Sequence, residues 1–210
     1  CGEFDRATQQ HGLALTGGRV STTGLAGFTL GGGSGWLERA FGFACDDLVS
    51  VDLVTASGDR VTASSTENPD LFWALHGGGG NFGVATSFTF GLHRLGPKVH
   101  AGLMLWPGDA APEISRGYRE LALAAPDEET GAIIYLTVPA EPGMPPEMVG
   151  KMAVAVVYLY AGDAAEGAEH AQPYRALQPA MDLLEDIDYA DFQCSLRPAG
   201  QIQLLERGLP

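Results

Sequence analysis

The chain has 210 residues, and its 12 Lys and Arg against 26 Asp and Glu leave a net charge of -14, which repels nucleic-acid backbones and anionic lipid. A chain this long can bury a sizeable core, and 29 glycines beside 45 % hydrophobic residues exclude a low-complexity polymer. Residues 1–100 hold 19 of the glycines but only 2 of the 13 prolines and 9 of the 26 acidic residues, a shift that predicts a domain boundary at Gly96-Pro97.

In chain order, residues 3–12 predict a short helix closed by Gly12. Val20 to Thr29 is interrupted by Thr and Gly, and Gly31-Gly32-Gly33-Ser34-Gly35 follows. WLERAF then reads as a compact helix with Ser34 as N-cap and Gly42 just past its end. Val49–Ala56 and Arg60–Ala63 are rich in Val and Thr and are joined by Ser57-Gly58-Asp59, a hairpin. Asn68-Pro69-Asp70 starts a helix that Gly77–Gly80 stops, and Val84–Leu92 reads as a strand. Beyond Pro97 the pattern predicts strand 99–106, helix 113–125, strand 132–138, a Pro-rich loop 139–146, strand 152–160, helix 163–177 and an irregular acidic tail. These elements suggest a helix-covered sheet, antiparallel at least in part.

Two glycine-rich segments stand out as candidate chemistry. In Thr22–Trp36, TTGLAGFTLGGGSGW, consecutive glycines let the backbone approach a ligand closely and turn N–H groups toward an anion. No basic side chain lies between Arg19 and Arg39, so a phosphate there would rest on backbone dipoles and on the helix starting near Gly35. The second segment, Gly77–Gly83, contains a literal GxGxxG. A dinucleotide fingerprint needs a strand before it and a helix after it, and the order here is reversed, which leaves a helix-to-strand turn as the competing reading.

Other chemistry lacks its pattern. There is no Gly-Lys-Ser/Thr loop and no GxSxG elbow, and the five histidines show no i, i+4 pair. Asp182, Glu185, Asp186, Asp188 and Asp191 lack calcium-loop order and read as a solvated surface. Cys1, Cys45 and Cys194 are odd in number and widely spaced, which favours a reducing, cytoplasmic setting, with secretion open because the chain does not begin with Met. Cys45, beside Asp46 and Asp47, reads as structural, since neighbouring carboxylates raise a thiol pKa. No run is apolar and long enough for a membrane helix.

VSTTGLAGFTLGGGSGWLERAFGFACDDLVSVDLVTASGDRV followed by ENPDLFWALHGGGGNFGVATSFTF closely resembles the berberine-bridge-enzyme-like branch of the vanillyl alcohol oxidase and p-cresol methylhydroxylase flavoprotein superfamily. A weaker match runs through WPGDAAPEISRGYRELALAAPDE and VVYLYAGDAAEGAEHAQPYRAL. The resemblance implies an α+β fold: residues 1–97 as the second half of a p-cresol-methylhydroxylase-type FAD-binding domain, and 98–210 as part of an antiparallel-sheet substrate domain backed by helices. It implies FAD as cofactor and places Thr22, Thr23, Gly24, Gly27, Phe28, Gly32, Gly33, Gly35 and Trp36 near the flavin or its diphosphate, with Val84 offering backbone contacts. The implied reaction is hydride transfer from a small organic substrate, such as a sugar or a secondary-metabolite alcohol, to FAD, with oxygen as a candidate acceptor.

The sequence departs from the family at Val20, where many members carry a flavin-linking Cys, at Phe28, where plant members carry His, and at His76, which replaces Arg. Thr23 stands where a residue controlling oxygen access is placed. The family's main pyrophosphate loop and its catalytic base have no counterpart in the 210 residues. The alternative expectation is therefore an incomplete flavoprotein piece acting as an interaction module and prone to self-association.

Overall fold

A computed structural model describes residues 1–140 and 142–195. The chain divides into two compact units, Cys1–Gly96 with residues 193–195, and Pro97–Phe192.

The first unit opens with helix α1 (Gly2–Gln9), then β1 (Leu13–Ala14), α2 (Leu25–Leu30) and α3 (Glu38–Phe41). The hairpin forms as its Val/Thr pattern predicts. Strands β2 (Leu48–Val54) and β3 (Arg60–Ser64) pair antiparallel, and Gly58 takes the positive φ of +87° that the turn needs. Helix α4 (Pro69–Ala74) starts with proline in its first turn. One 3-10 turn over Gly79–Phe82 leads into β4 (Val84–Phe90), and β5 (His93–Arg94) closes back on β1. The sheet order is β3-β2-β4. Its inward side chains Val51, Leu53 and Ala63 pack with Leu30, Cys45, Leu48 and Leu75 into one core cluster.

The second unit contains β6 (Lys98–Pro107), α5 (Ala111–Ala124), β7 (Glu129–Thr137), β8 (Met152–Tyr160), α6 (Ala164–His170), α7 (Gln172–Arg175), β9 (Met181–Asp182) and β10 (Glu185–Asp188), with α8 (Tyr189–Ser195) running on past the division. The strands form one antiparallel sheet in the order β10-β6-β8-β7, with β9 also on β6. Helices α5, α6 and α7 cover one face through a core of Met104, Trp106, Ile114, Val154, Val156, Tyr158, Tyr160 and Tyr174. Two buried polar bonds fix the layer: Tyr158 donates to Gly167 O at 3.0 Å, and Trp106 Nε1 to Leu177 O at 2.8 Å.

Four local expectations differ from the structure. Leu25–Leu30 is helical although Gly27 and the glycines flanking it interrupt the pattern. Helix α3 begins at Glu38 rather than at Trp36, and Ser34 is not its cap. The single helix expected over 163–177 is two, because Pro173 has no N–H to continue the ladder and instead opens α7. The acidic tail supplies two short strands, β9 and β10, and the helix α8. Glu141, within the Pro-rich loop, and the segment 196–210 lie outside the described residues.

Candidate flavin site

The two glycine-rich segments meet in the first unit, where α2 lies against the 3-10 turn Gly79–Phe82. The loop between α2 and α3 is tied down on both sides. Gly33 O accepts from Ala44 N at 3.0 Å and Gly32 O from Cys45 N at 3.0 Å. On the opposite side Gly35 forms a β-bridge with Gly18. Arg19 donates to Ser34 Oγ at 3.0 Å and to Gly35 O at 3.2 Å, and its guanidinium lies 5.3 Å over the Trp36 ring. The loop is therefore a held shape and not a flexible linker.

Its glycines fall into two groups. Gly33 and Gly35 are required by the chain itself: a Cβ on Gly33, which has φ of +91°, would meet Ala44 Cβ at 2.5 Å, and one on Gly35 would meet Gly17 O at 2.0 Å. Gly24 and Gly27 have nothing within 4 Å of the position a Cβ would take. Neither has a positive φ, and Gly27 sits inside a helix, where it costs about 1 kcal/mol relative to Ala. Gly24 is the N-cap of α2, where glycine is accepted, but neither packing nor conformation accounts for Gly27. Both leave an open backbone surface of the kind a closely approaching planar or phosphate-bearing group needs. Gly32, with φ of +106° and open space beside it, continues that surface.

The remaining predicted residues are placed as follows. Thr22 is exposed, while the half-buried Thr23 packs its side chain against Gly18. The Phe28 ring lies beside Gly33, and Trp36 is 1 % exposed beneath Arg19. Val84 is 71 % exposed at the start of β4, just after Gly83, where a Cβ would strike Val54 O at 2.5 Å. His76 is occupied locally, its Nδ1 2.7 Å from Phe72 O. The expectation of a phosphate-binding helix start near Gly35 is corrected: α3 is four residues long and carries Glu38 in its first turn, which disfavours an anion.

Two features escaped the sequence reading. Arg19 turns inward to brace the loop, for which a lone Arg gives no sequence signal. Asp5 is buried at 1 % exposure on α1, with Gln193 Nε2 3.5 Å from its carboxylate, and burial pushes its pKa up to about 6. Cys45 is buried, and burial followed by the adjacent Asp46 raises its thiol pKa, as expected for an inert structural cysteine. In the acidic segment Asp182 pairs with Arg175 at 2.7 Å and Asp186 with His100 at 2.7 Å. No group of three or more His, Cys, Asp or Glu among the described residues could hold a metal, and no helix among them is long and apolar enough to cross a membrane.

The FAD binding domain family matches residues 1–64. The chain is 37 % identical over 174 residues to the FAD-linked oxidoreductase pgmH of Aspergillus terreus, covering 81 % of this chain and 34 % of the relative. Its fold aligns with 6-hydroxy-D-nicotine oxidase of Arthrobacter nicotinovorans at a TM-score of 0.79 and 26 % identity, over 91 % of this chain and 41 % of that one. Its relatives and structural neighbours are FAD-linked oxidoreductases of the berberine-bridge-enzyme-like kind. Xylooligosaccharide oxidase of Myceliophthora thermophila aligns at a TM-score of 0.73 and 28 % identity, over 96 % of this chain and 41 % of that one. The chain thus has the α+β architecture of these flavoproteins, its match to the FAD binding domain family supports FAD as the cofactor, and it spans between about a third and two-fifths of the length of these relatives.

Proposed function

We propose that residues 1–97 supply one wall of an FAD cradle and that 98–210 supply part of a substrate domain, in a protein that oxidises a small organic molecule. The observation that carries this reading is the open surface over Gly24 and Gly27, at the start of and within α2, and over Gly32 in the hydrogen-bonded loop that follows it. On it, backbone groups of Thr22, Thr23, Gly24, Gly27, Gly32 and Gly33 hold the cofactor, Phe28 borders it, Gly35 and Trp36 keep the loop in place from inside, and Val84 offers its backbone. When bound, FAD supplies a two-electron acceptor for hydride from a substrate C–H bond, with dioxygen as the proposed final acceptor. The protein residues contribute orientation and exclusion of water. The relatives named above act on a hydroxynicotine and on xylooligosaccharide, and a small alcohol or sugar is the proposed substrate class.

Titration of FAD with the 210-residue chain, followed by quenching of flavin fluorescence, tests the cradle. Saturable quenching is expected, weaker than in a protein of the relatives' full length; no quenching by either protein would refute the reading. A second reading, an interaction module, is favoured by one observation: Trp73 is 80 % exposed and Val84 71 % exposed in the first unit, an apolar surface that invites self-association. Light scattering that shows a concentration-independent monomer would count against it.

A further inference from the structure

We propose that Arg19 is a positioning residue, which sets the shape of the Gly31–Gly35 loop from behind and thereby governs FAD affinity without offering its charge to the cofactor. This rests on the cradle reading above. The argument begins with the loop's composition: four of its five residues are glycine, which loses more conformational freedom on ordering than any other residue. Such a loop holds one shape only if its polar groups are engaged.

Ala44 and Cys45 engage it on one side. On the other, one guanidinium does most of the work: Nη1 reaches Ser34 Oγ at 3.0 Å and Ser34 O at 3.4 Å, while Nη2 reaches Gly35 O at 3.2 Å and Glu38 Oε1 at 2.9 Å. Ser34 Oγ also donates to the Glu38 carboxylate. The flat face of the same group covers Trp36 at 5.3 Å. A planar fork with donors in fixed directions can satisfy these acceptors together, whereas an ammonium is a point charge that cannot. The arginine's charge is already paired with Glu38 at 2.9 Å, so it is not held in reserve for a phosphate. The only cation between residues 7 and 38 is thus committed to the loop.

The substitution Arg19→Lys separates a brace from a counter-charge, because it keeps the charge and loses the fork. Two readouts are taken on the 210-residue chain: amide hydrogen exchange of Gly32–Gly35 without flavin, and FAD affinity by fluorescence quenching. The brace predicts at least tenfold faster exchange and at least tenfold weaker FAD binding for Arg19→Lys, with unchanged protection of β2 and β3, in the same unit, as the control for folding. Glu38→Gln, which releases the arginine's charge but loosens its aim, is expected to weaken binding as well. Wild-type exchange and affinity in Arg19→Lys, or tighter binding in Glu38→Gln, would overturn the proposal. If neither the wild-type chain nor a protein of the relatives' full length binds FAD while Arg19→Lys still loosens the loop, the cradle reading falls and only the bracing of the loop remains.

Discussion

Gly27 occupies a helical position where alanine is the better helix former, and nothing in the chain claims the space its side chain would fill. Gly27→Ala is therefore expected to stabilise α2 by up to about 1 kcal/mol while weakening FAD binding at least tenfold, a pairing of opposite signs that thermal melting and flavin titration measure together. Loss of both, or of neither, would contradict the assignment of an open surface. Asp5 presents the reverse situation, a carboxyl whose burial is costly. Its pKa of about 6 lies above the unfolded value of 3.8, so the folded state binds more protons between those limits. Stability from this group is full below about pH 4, declines as pH rises through 6, and is constant beyond it. Asp5→Asn is thus expected to raise stability by up to ~3 kcal/mol above pH 6 and to have no effect below pH 4, as followed by melting temperature against pH. A gain that persists at pH 4 would mean that burial of the charge is not its origin.

At the scale of elements, α7 is held to the start of β7 by a buried bond, Tyr174 Oη to Glu129 Oε1 at 2.5 Å. Burial, followed by the hydrogen bond to Glu129, raises the Tyr174 pKa, so the phenol remains the donor. Tyr174→Phe removes that donor from a buried carboxylate and is expected to cost about 1–3 kcal/mol, measured by urea unfolding; a cost near zero would show that Glu129 is satisfied without it. The elements also show what can be read from residues alone. The β2–β3 hairpin is legible because Val/Thr alternation and Ser57-Gly58-Asp59 give the same answer. Helix α2 is not, because Gly27 within it and the glycines that flank it at 24 and 31–33 erase its helical signature. Strands β9 and β10 are also hidden. Their acidic sequence opposes β propensity, and they form by antiparallel pairing with β6, a strand far earlier in the chain. The candidate site follows the same division: the glycines are visible in the sequence, whereas the Arg19 brace depends on contacts 15 to 19 residues away.

For the whole molecule, the charge of -14 gives a sequence isoelectric point near 4.5, where self-repulsion vanishes. Turbidity against pH is expected to peak around that value and to fall on either side. The negative charge also has a place in the fold. Strand β10, bearing Glu185, Asp186 and Asp188, ends the sheet order β10-β6-β8-β7. An outermost strand leaves one row of backbone donors and acceptors without a neighbour in its sheet, and charged side chains are what keep a second copy from adding to it. Three carboxylates in four residues act as an electrostatic stop on polymer growth. Substituting Glu185→Gln, Asp186→Asn and Asp188→Asn together removes that stop, so the aggregates of this variant are expected to be strand-paired and to bind an amyloid dye, whereas loosely coagulated protein would not.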